Sequence, residues 1–128
     1  MYIPMRTLLR KDPDELSLGE LQEIHAYLIS QHVQWLFLQG YRVRNGDYFR
    51  DPRVHGEIGE KKSYSHPYSM HKSKCAADLN LFKDGKYLTK TSDHLKSGEK
   101  WESRHPLCCW GGRFNDGNHY SMTFEGRK

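Results

Sequence analysis

The chain has 128 residues, 36% of them hydrophobic and 12% aromatic, with a mean hydropathy of −0.90. This length fits one domain, residues 1–128, and the aromatic content argues against a disordered chain. The formal net charge of +4 favours an anionic partner such as nucleic acid, a membrane surface or a cell-wall polymer, although it serves solubility equally well.

Several classes of protein are disfavoured by what the sequence lacks. No nucleic-acid-binding motif and no basic helical stripe is present. The first six residues lack the apolar run of a signal peptide, and no stretch approaches the roughly 20 apolar residues of a membrane span. Three cysteines, two of them adjacent (Cys75, Cys108 and Cys109), predict a reducing compartment and small buried side chains rather than a disulfide.

Residues 1–16 are expected to form an irregular N-terminal arm, because Pro4 and Pro13 break any early helix. Ser17 and Glu20 then have the spacing of a capping box, in which each residue satisfies a free backbone N–H of the other. The sequence therefore predicts that a helix begins here.

The helix that follows has apolar residues at helical spacing as far as Leu38, and Gly40 is placed to end it. It is predicted to be the main helix of the core. His25 and His32 lie in it without a second potential ligand four residues on, so they are expected to be surface or packing residues.

A short strand, a turn and a loop are predicted after the helix. Tyr41–Arg44 has the composition of a short strand, and Asn45-Gly46 is typical of a turn. Residues 54–68 are predicted to be a loop, either a lid that lines a substrate site or a plain solvated loop.

Ala76–Leu88 is predicted to be a strand and hairpin with its turn at Asp84-Gly85. Apolar and polar residues alternate here, so Leu79 and Leu81 face the core while Asp78 faces the other way.

A short helix is expected from Thr91 or Ser92 to Trp101, followed by a last strand in which His119 lies on the polar face. A helix followed by antiparallel-looking strands indicates an α+β fold. We expect a small antiparallel sheet, with the long N-terminal helix packed on one face and a metal site on the other.

Four residues have the chemistry of a catalytic zinc centre. Such a centre needs three protein ligands and an open position for water, which His71, Asp78 and His119 could provide. Two imidazoles and one carboxylate leave the metal with a net charge of about +1, which keeps it Lewis acidic. Asp116 could then take and pass on a proton. By spacing alone they could equally be ordinary surface or hydrogen-bonded residues.

Three motifs occur in order along the chain: Ser69-x-His71 with Ala76-x-Asp78-Leu79-Asn80-Leu81-Phe82, then Trp110-Gly111-Gly112-x-Phe114, then Asp116-x-x-His119. Together they resemble the zinc-ligand signature of the D-Ala-D-Ala carboxypeptidase / L-alanyl-D-glutamate endopeptidase family, in particular its small bacteriophage members. Phe49-Arg50-Asp51-Pro52 is similar to the Tyr-Arg-x-Pro-type element of that family.

The resemblance implies a hedgehog-type zinc peptidase fold that holds one zinc ion through His71, Asp78 and His119. It implies that Asp116 is the general base and acid. It also implies that Arg50 polarises the scissile carbonyl and stabilises the oxyanion, although a structural salt bridge is the alternative for this residue.

Ser69 and Trp110 are implied to contact the substrate or to support the ligands. A simple turn is the alternative for Ser69, and core packing is the alternative for Trp110. Many relatives have a glycine three residues after the first histidine, where this chain has Lys74, so the conformation of the loop at that point is open.

The function implied by the resemblance is that of a phage endolysin, a zinc metallopeptidase that cuts the peptidoglycan stem peptide as an L-alanyl-D-glutamate endopeptidase. The alternatives are a D-Ala-D-Ala carboxypeptidase or dipeptidase, and a non-catalytic zinc-containing virion or wall-binding module. An endolysin of this kind would be a monomer whose partner is peptidoglycan, with no nucleic acid and no stable membrane insertion. Without a signal peptide it would accumulate in the host cytosol and reach the wall through a separate holin.

Overall fold

The chain is helical in its first third and contains most of its strands after that. In the computed structural model, which describes residues 3–128, the helices are α1 (Met5–Leu8), α2 (Leu18–Leu38), α3 (Pro52–His55) and α4 (Leu95–Glu102). The strands are β1 (Arg42–Asn45), β2 (Ala76–Lys83), β3 (Lys86–Tyr87), β4 (Cys108–Trp110) and β5 (His119–Met122). Single 3₁₀ turns lie at Pro13–Glu15, Met70–Ser73, Thr91–His94 and Gly111–Phe114. The predicted α+β class is confirmed.

All strand pairs are antiparallel, in the order β1-β2-β5-β4, and β3 pairs with the end of β2. In the ladder between β2 and β5, Asp78 lies directly opposite His119. Directly opposed residues of an antiparallel pair have their Cβ atoms about 5 Å apart. The register of these two strands therefore brings two of the predicted ligands together, although 40 residues of chain separate them.

Helix α2 packs on this sheet. It begins with the predicted capping box, in which Ser17 Oγ accepts from Glu20 N at 3.1 Å and Glu20 Oε1 accepts from Ser17 N at 3.0 Å. Its buried residues recur at helical spacing: Leu21, Ile24, His25, Leu28, Ile29, His32 and Leu36. Of the two roles expected for the helix histidines, packing is confirmed and a surface position is wrong.

The N-terminal arm is more ordered than predicted. Pro4 precedes a helical turn instead of breaking it, because a residue at the start of a helix needs no backbone N–H. Its carbonyl accepts from Thr7 N at 2.9 Å and from Leu8 N at 3.0 Å. Leu8 and Leu16 are both buried in the core. The first 16 residues thus contribute to the core through Leu8 and Leu16.

The turn predicted at Asn45-Gly46 is wrong. The chain continues along β2, since Gly46 N donates to Asp78 O and Asp78 N donates to Asp47 O, both at 2.8 Å. A two-residue hairpin is selected by local sequence, but here the partner strand lies about 30 residues away. This extension carries the segment that follows Asp47 over Asp78.

The turn predicted at Asp84-Gly85 is confirmed. Asp84 and Gly85 have positive φ angles of 51° and 77°, as a type I′ hairpin turn requires. All three cysteines are free, and burial raises the pKa of Cys75 to about 12. Within residues 3–128, no helix combines the length and apolar character needed to cross a bilayer.

Candidate metal centre

Three predicted ligands converge on one point. His71 lies on the 3₁₀ turn before β2, Asp78 on β2 and His119 on β5. His71 Nε2 is 3.1 Å from Asp78 Oδ1 and 3.2 Å from His119 Nδ1, and the latter two atoms are 3.7 Å apart. Ligand atoms of a tetrahedral ion with bonds of about 2.0–2.1 Å are separated by about 3.3 Å. The three atoms therefore outline one face of a tetrahedral site, and the group could hold a metal ion.

The hydrogen bond of the His71 imidazole supports this. His71 Nδ1 lies 2.8 Å from the carbonyl oxygen of Tyr48, which fixes the proton on Nδ1 and turns the lone pair of Nε2 toward the centre. In His119, Nδ1 faces the centre, and Nε2 is buried without a hydrogen-bond partner in the described chain. Two imidazole nitrogens and a carboxylate oxygen this close together repel one another unless a cation or a proton lies between them. The donor set thus fits a divalent metal.

Asp78 is ionised at this position. Burial raises its pKa, but hydrogen bonds and charge interactions with His119 and His71 lower it more, so the pKa lies well below the usual range. Its second oxygen, Oδ2, is 3.5 Å from Arg50 Nη2. One carboxylate thus has one oxygen on the ligand triangle and the other near a guanidinium.

Arg50 is fixed beside the centre by several groups. Its Nε donates to Asp47 Oδ2 at 3.2 Å, and its Nη1 donates to Ser65 Oγ at 3.2 Å. Its backbone N donates to His71 O at 3.0 Å. The structural salt bridge considered for Arg50 is therefore present, yet its side chain also lines the cleft described below.

Two residues that support Arg50 and Asp47, namely Tyr64 and Ser65, were not predicted from the sequence. The hydroxyl of Tyr64 donates to Asp47, and this hydrogen bond lowers the pKa of the Asp47 carboxyl. Ser65 is fully buried although it lies in the segment predicted to be a loop. The contact between Asp47 and Arg50 could have been found from their spacing of three residues. No local pattern indicates the contacts of Tyr64 or Ser65.

Asp116 lies next to the ligands without joining the triangle. Its Oδ2 is 3.8 Å from His119 Nδ1, and its side chain is 50% exposed. The backbone around it is tightly packed, because Asp116 N donates to Gly111 O at 2.8 Å and a Cβ on Gly111 would overlap the carbonyl of Asp116. Gly111 is therefore required for Asp116 to lie here.

Trp110 supports this turn from the inside. It is 3% exposed, and its Nε1 donates to Gly117 O at 2.7 Å. Trp110 does not line the cleft, so a substrate contact is not supported. It packs in the core, as the alternative held, and it also holds the turn that carries Asp116.

Ser69 begins the turn that carries His71. Its Oγ accepts from His71 N at 3.2 Å and lies 3.4 Å from Arg50 Nη1. The turn ends at Lys74, which has the left-handed conformation with φ 58° and ψ 29°. Lys74 thus adopts the backbone conformation that glycine takes most easily.

An open cleft of about 740 Å³ gives access to the centre. Arg50, Ser69, Asp116 and His119 line it together with residues that were not predicted, namely His66, Tyr68, Phe114, Gly126, Arg127 and Lys128. His66 therefore lies where it could contact a substrate, whereas His105 is buried and does not line the cleft.

No protein-family model matches the chain, and neither does a curated protein or a solved structure. Function is therefore inferred from the geometry of this centre and from the resemblance of its motifs.

Proposed function

We propose that the protein is a zinc metallopeptidase that hydrolyses the peptidoglycan stem peptide, as an L-alanyl-D-glutamate endopeptidase of the endolysin type. The observation that carries this proposal is the convergence of His71, Asp78 and His119, with Asp116 and Arg50 beside them in one cleft. A purely structural metal site is normally closed by four protein ligands, whereas a catalytic one has three. The described residues offer three, and the cleft leaves the site open to solvent.

The residues divide the chemistry among them. A zinc ion bound by His71, Asp78 and His119 would supply Lewis acidity. The half-exposed Asp116 carboxylate, whose Oδ2 is 3.8 Å from His119 Nδ1, would accept a proton from the attacking water and donate it to the leaving amine nitrogen. The Arg50 guanidinium, a permanent donor, would stabilise the carbonyl oxygen as negative charge develops on it.

The remaining parts of the proposal follow from the resemblance and the charge. A net charge of +4 suits an anionic wall polymer. The protein would act as a monomer after synthesis in the host cytosol, with a separate holin opening the route to the wall.

The test is digestion of purified sacculi with zinc-loaded protein, followed by mass spectrometry of the released ends. We expect new N-terminal D-glutamate, lost on chelation and recovered with zinc. Asp116→Asn should lower kcat by about 10² to 10⁴-fold while one zinc per chain remains bound. Asp84→Asn, in a hairpin turn away from the cleft, is the matched control and should retain full activity.

Each other outcome decides against part of the proposal. Released D-alanine would identify a carboxypeptidase instead. Sacculi left intact by protein with one bound zinc would favour the non-catalytic wall-binding module. Retention of zinc by His71→Ala would show that the ligand set is wrong.

A further inference from the structure

The cleft has a positively charged wall next to the candidate metal centre. Its lining includes Arg50, Arg127 and Lys128, and Asp116 is its one acidic side chain. Arg50 has carboxylate partners of its own in Asp47 and Asp78. The charges of the other two cations are therefore the ones available to a ligand.

Arg127 is held in place by neutral acceptors. Its Nε donates to Tyr68 O at 3.2 Å, and its Nη2 donates to Ser69 O at 3.2 Å and to Ser73 Oγ at 2.7 Å. Within residues 3–128 no carboxylate lies within 4.0 Å of the Arg127 guanidinium, and its Nη1 makes no hydrogen bond. The guanidinium is thus positioned but not neutralised.

The backbone of Arg127 is also fixed. Its N donates to Phe124 O and its O accepts from Phe124 N, both at 2.9 Å, across a two-residue turn with positive φ at Glu125 and Gly126. This is the geometry of a tight type I′ turn. A donor that is held before the ligand arrives loses less conformational entropy on binding.

Lys128 is tied to the same site through an aromatic ring. Its Nζ lies 5.6 Å from the centroid of Phe114, and the Phe114 ring packs against His119 with centroids 5.4 Å apart. No carboxylate in residues 3–128 pairs with its ammonium group. The free Nη1 of the Arg127 guanidinium and the Lys128 ammonium group could together bind a carboxylate through charge-assisted hydrogen bonds.

We propose that Arg127 and Lys128 form a carboxylate subsite that holds the acidic residue following the scissile bond. The proposal deepens the proposed function and rests on it. In an L-alanyl-D-glutamate bond the residue after the cleaved amide is D-glutamate, whose free α-carboxylate is the ligand group. Arg127 contacts the carbonyl of Ser69, two residues before His71, so the subsite adjoins the metal ligands.

The test compares two stem peptides that differ only in the D-glutamate α-group, one with the carboxylate and the other with the carboxamide. Both have an N-methylated alanyl-glutamyl amide, so that neither is cleaved, and all other carboxylates are blocked. Calorimetric titration of the zinc-loaded protein should show about tenfold tighter binding of the carboxylate peptide, since a hydrogen bond to a charged group supplies about that factor.

Substitutions of Arg127 and Lys128 test whether these side chains cause the preference for the carboxylate peptide. Arg127→Met should abolish the preference, and Lys128→Met should reduce it to about threefold, as expected for an exposed charge pair. Arg127→Lys retains the charge but loses the hydrogen bonds that hold the guanidinium in place, and it should give an intermediate value. Lys86→Met, in β3 and outside the cleft, is the matched control and should retain the tenfold preference. The thermal unfolding midpoint of each variant shows whether it is folded. If Arg127→Met is misfolded, the binding preference of Lys128→Met tests the subsite in its place.

Cleavage of the unmethylated peptide is followed in parallel, and it separates the two proposals. Discrimination without cleavage would support the subsite and contradict the peptidase function. Cleavage without discrimination, with unchanged KM for Lys128→Met and Arg127→Met, would overturn the subsite and leave the function standing. Failure of either peptide to bind would overturn the subsite as well.

Discussion

At the scale of single residues, the backbone of Lys74 closes the turn that carries His71. Lys74 has φ 58°, and its N donates to His71 O at 3.4 Å. A left-handed residue costs roughly 1–2 kcal/mol unless it is glycine, and a β-branched residue is the worst case. We expect Lys74→Val to lower the free energy of unfolding by about 2 kcal/mol and Lys74→Gly to be tolerated, as measured by urea denaturation.

The control for this prediction is Lys83→Val. Lys83 is an exposed residue of β2, where a β-branched side chain suits the extended backbone. Its ammonium lies over Tyr41 as that of Lys74 lies over Phe49, so this variant should lose only that contact, at most about 1 kcal/mol. Equal losses for the two valine variants would show that removal of the lysine, and not backbone conformation, causes the effect at position 74.

At the scale of elements, local patterns were enough to predict those parts of the fold whose partners are close in sequence. The capping box at Ser17 and Glu20 located the start of α2, and Asp84-Gly85 located the β2–β3 turn. Both depend on contacts within a few residues. The residues that pair between β1 and β2 are 34 to 40 positions apart in the sequence, so nothing in the sequence around Asn45 predicted this pairing.

The candidate site also contains parts that could be predicted from local sequence and parts that could not. Its ligand residues lie in short motifs, so they could be named from the sequence, whereas the groups that support Arg50 could not. Lys72 is an example: its buried ammonium donates to the carbonyls of Glu57 at 2.9 Å, Glu60 at 2.8 Å and Pro67 at 3.2 Å. It thereby orders the segment that carries Ser65. A lysine with backbone partners alone has no sequence pattern, because any residue supplies a carbonyl.

Two helix glycines, one in a crowded and one in an open environment, should respond oppositely to replacement by alanine. A Cβ on Gly98, in α4, would overlap the ring of Trp110, whereas a Cβ on Gly19, in α2, would meet nothing within 4 Å. Alanine is the better helix former by roughly 1 kcal/mol, so Gly19→Ala should stabilise the protein by up to about that amount.

Gly98→Ala should destabilise the protein by about 1–3 kcal/mol despite the same gain in helix propensity, because overpacking displaces Trp110. The midpoint of urea unfolding measures both changes. Since Trp110 holds the turn before His119, Gly98→Ala should also weaken zinc binding. Stabilisation by both alanines would show that the Trp110 ring moves aside freely.

At the scale of the whole molecule, one chain of buried hydrogen bonds joins the helices to the sheet. It runs from Arg104 Nε to His32 Nδ1 at 3.0 Å, from His32 Nε2 to Ser97 Oγ at 3.0 Å, and from Ser97 Oγ to the hydroxyl of Tyr120 at 2.8 Å. The Tyr120 hydroxyl continues it to His94 Nδ1 at 3.2 Å. Arginine can only donate, so His32 Nδ1 is the acceptor, and His32 must be neutral with its proton on Nε2, which donates to Ser97 Oγ.

The stability of the protein should therefore depend on the protonation of His32. Burial, followed by the nearby charges of Arg104 and Lys100, lowers the pKa of His32 from 6.5 to about 3. Above pH 6.5 the residue is neutral in both states and its contribution is constant. Between pH 6.5 and about 3 the unfolded chain binds a proton that the folded chain refuses, so stability falls as the pH falls.

The expected loss from His32 at pH 5.0 is about 2 kcal/mol, since each pH unit below 6.5 costs up to about 1.4 kcal/mol. His32→Gln cannot be protonated, so between pH 7.5 and 5.0 it should lose about 2 kcal/mol less than the wild type in urea unfolding. Both proteins contain His71 and His119, so the pH dependence of metal binding cancels in this difference. Equal losses in the two proteins would mean that His32 accepts its proton in the folded state, against the charge of Arg104.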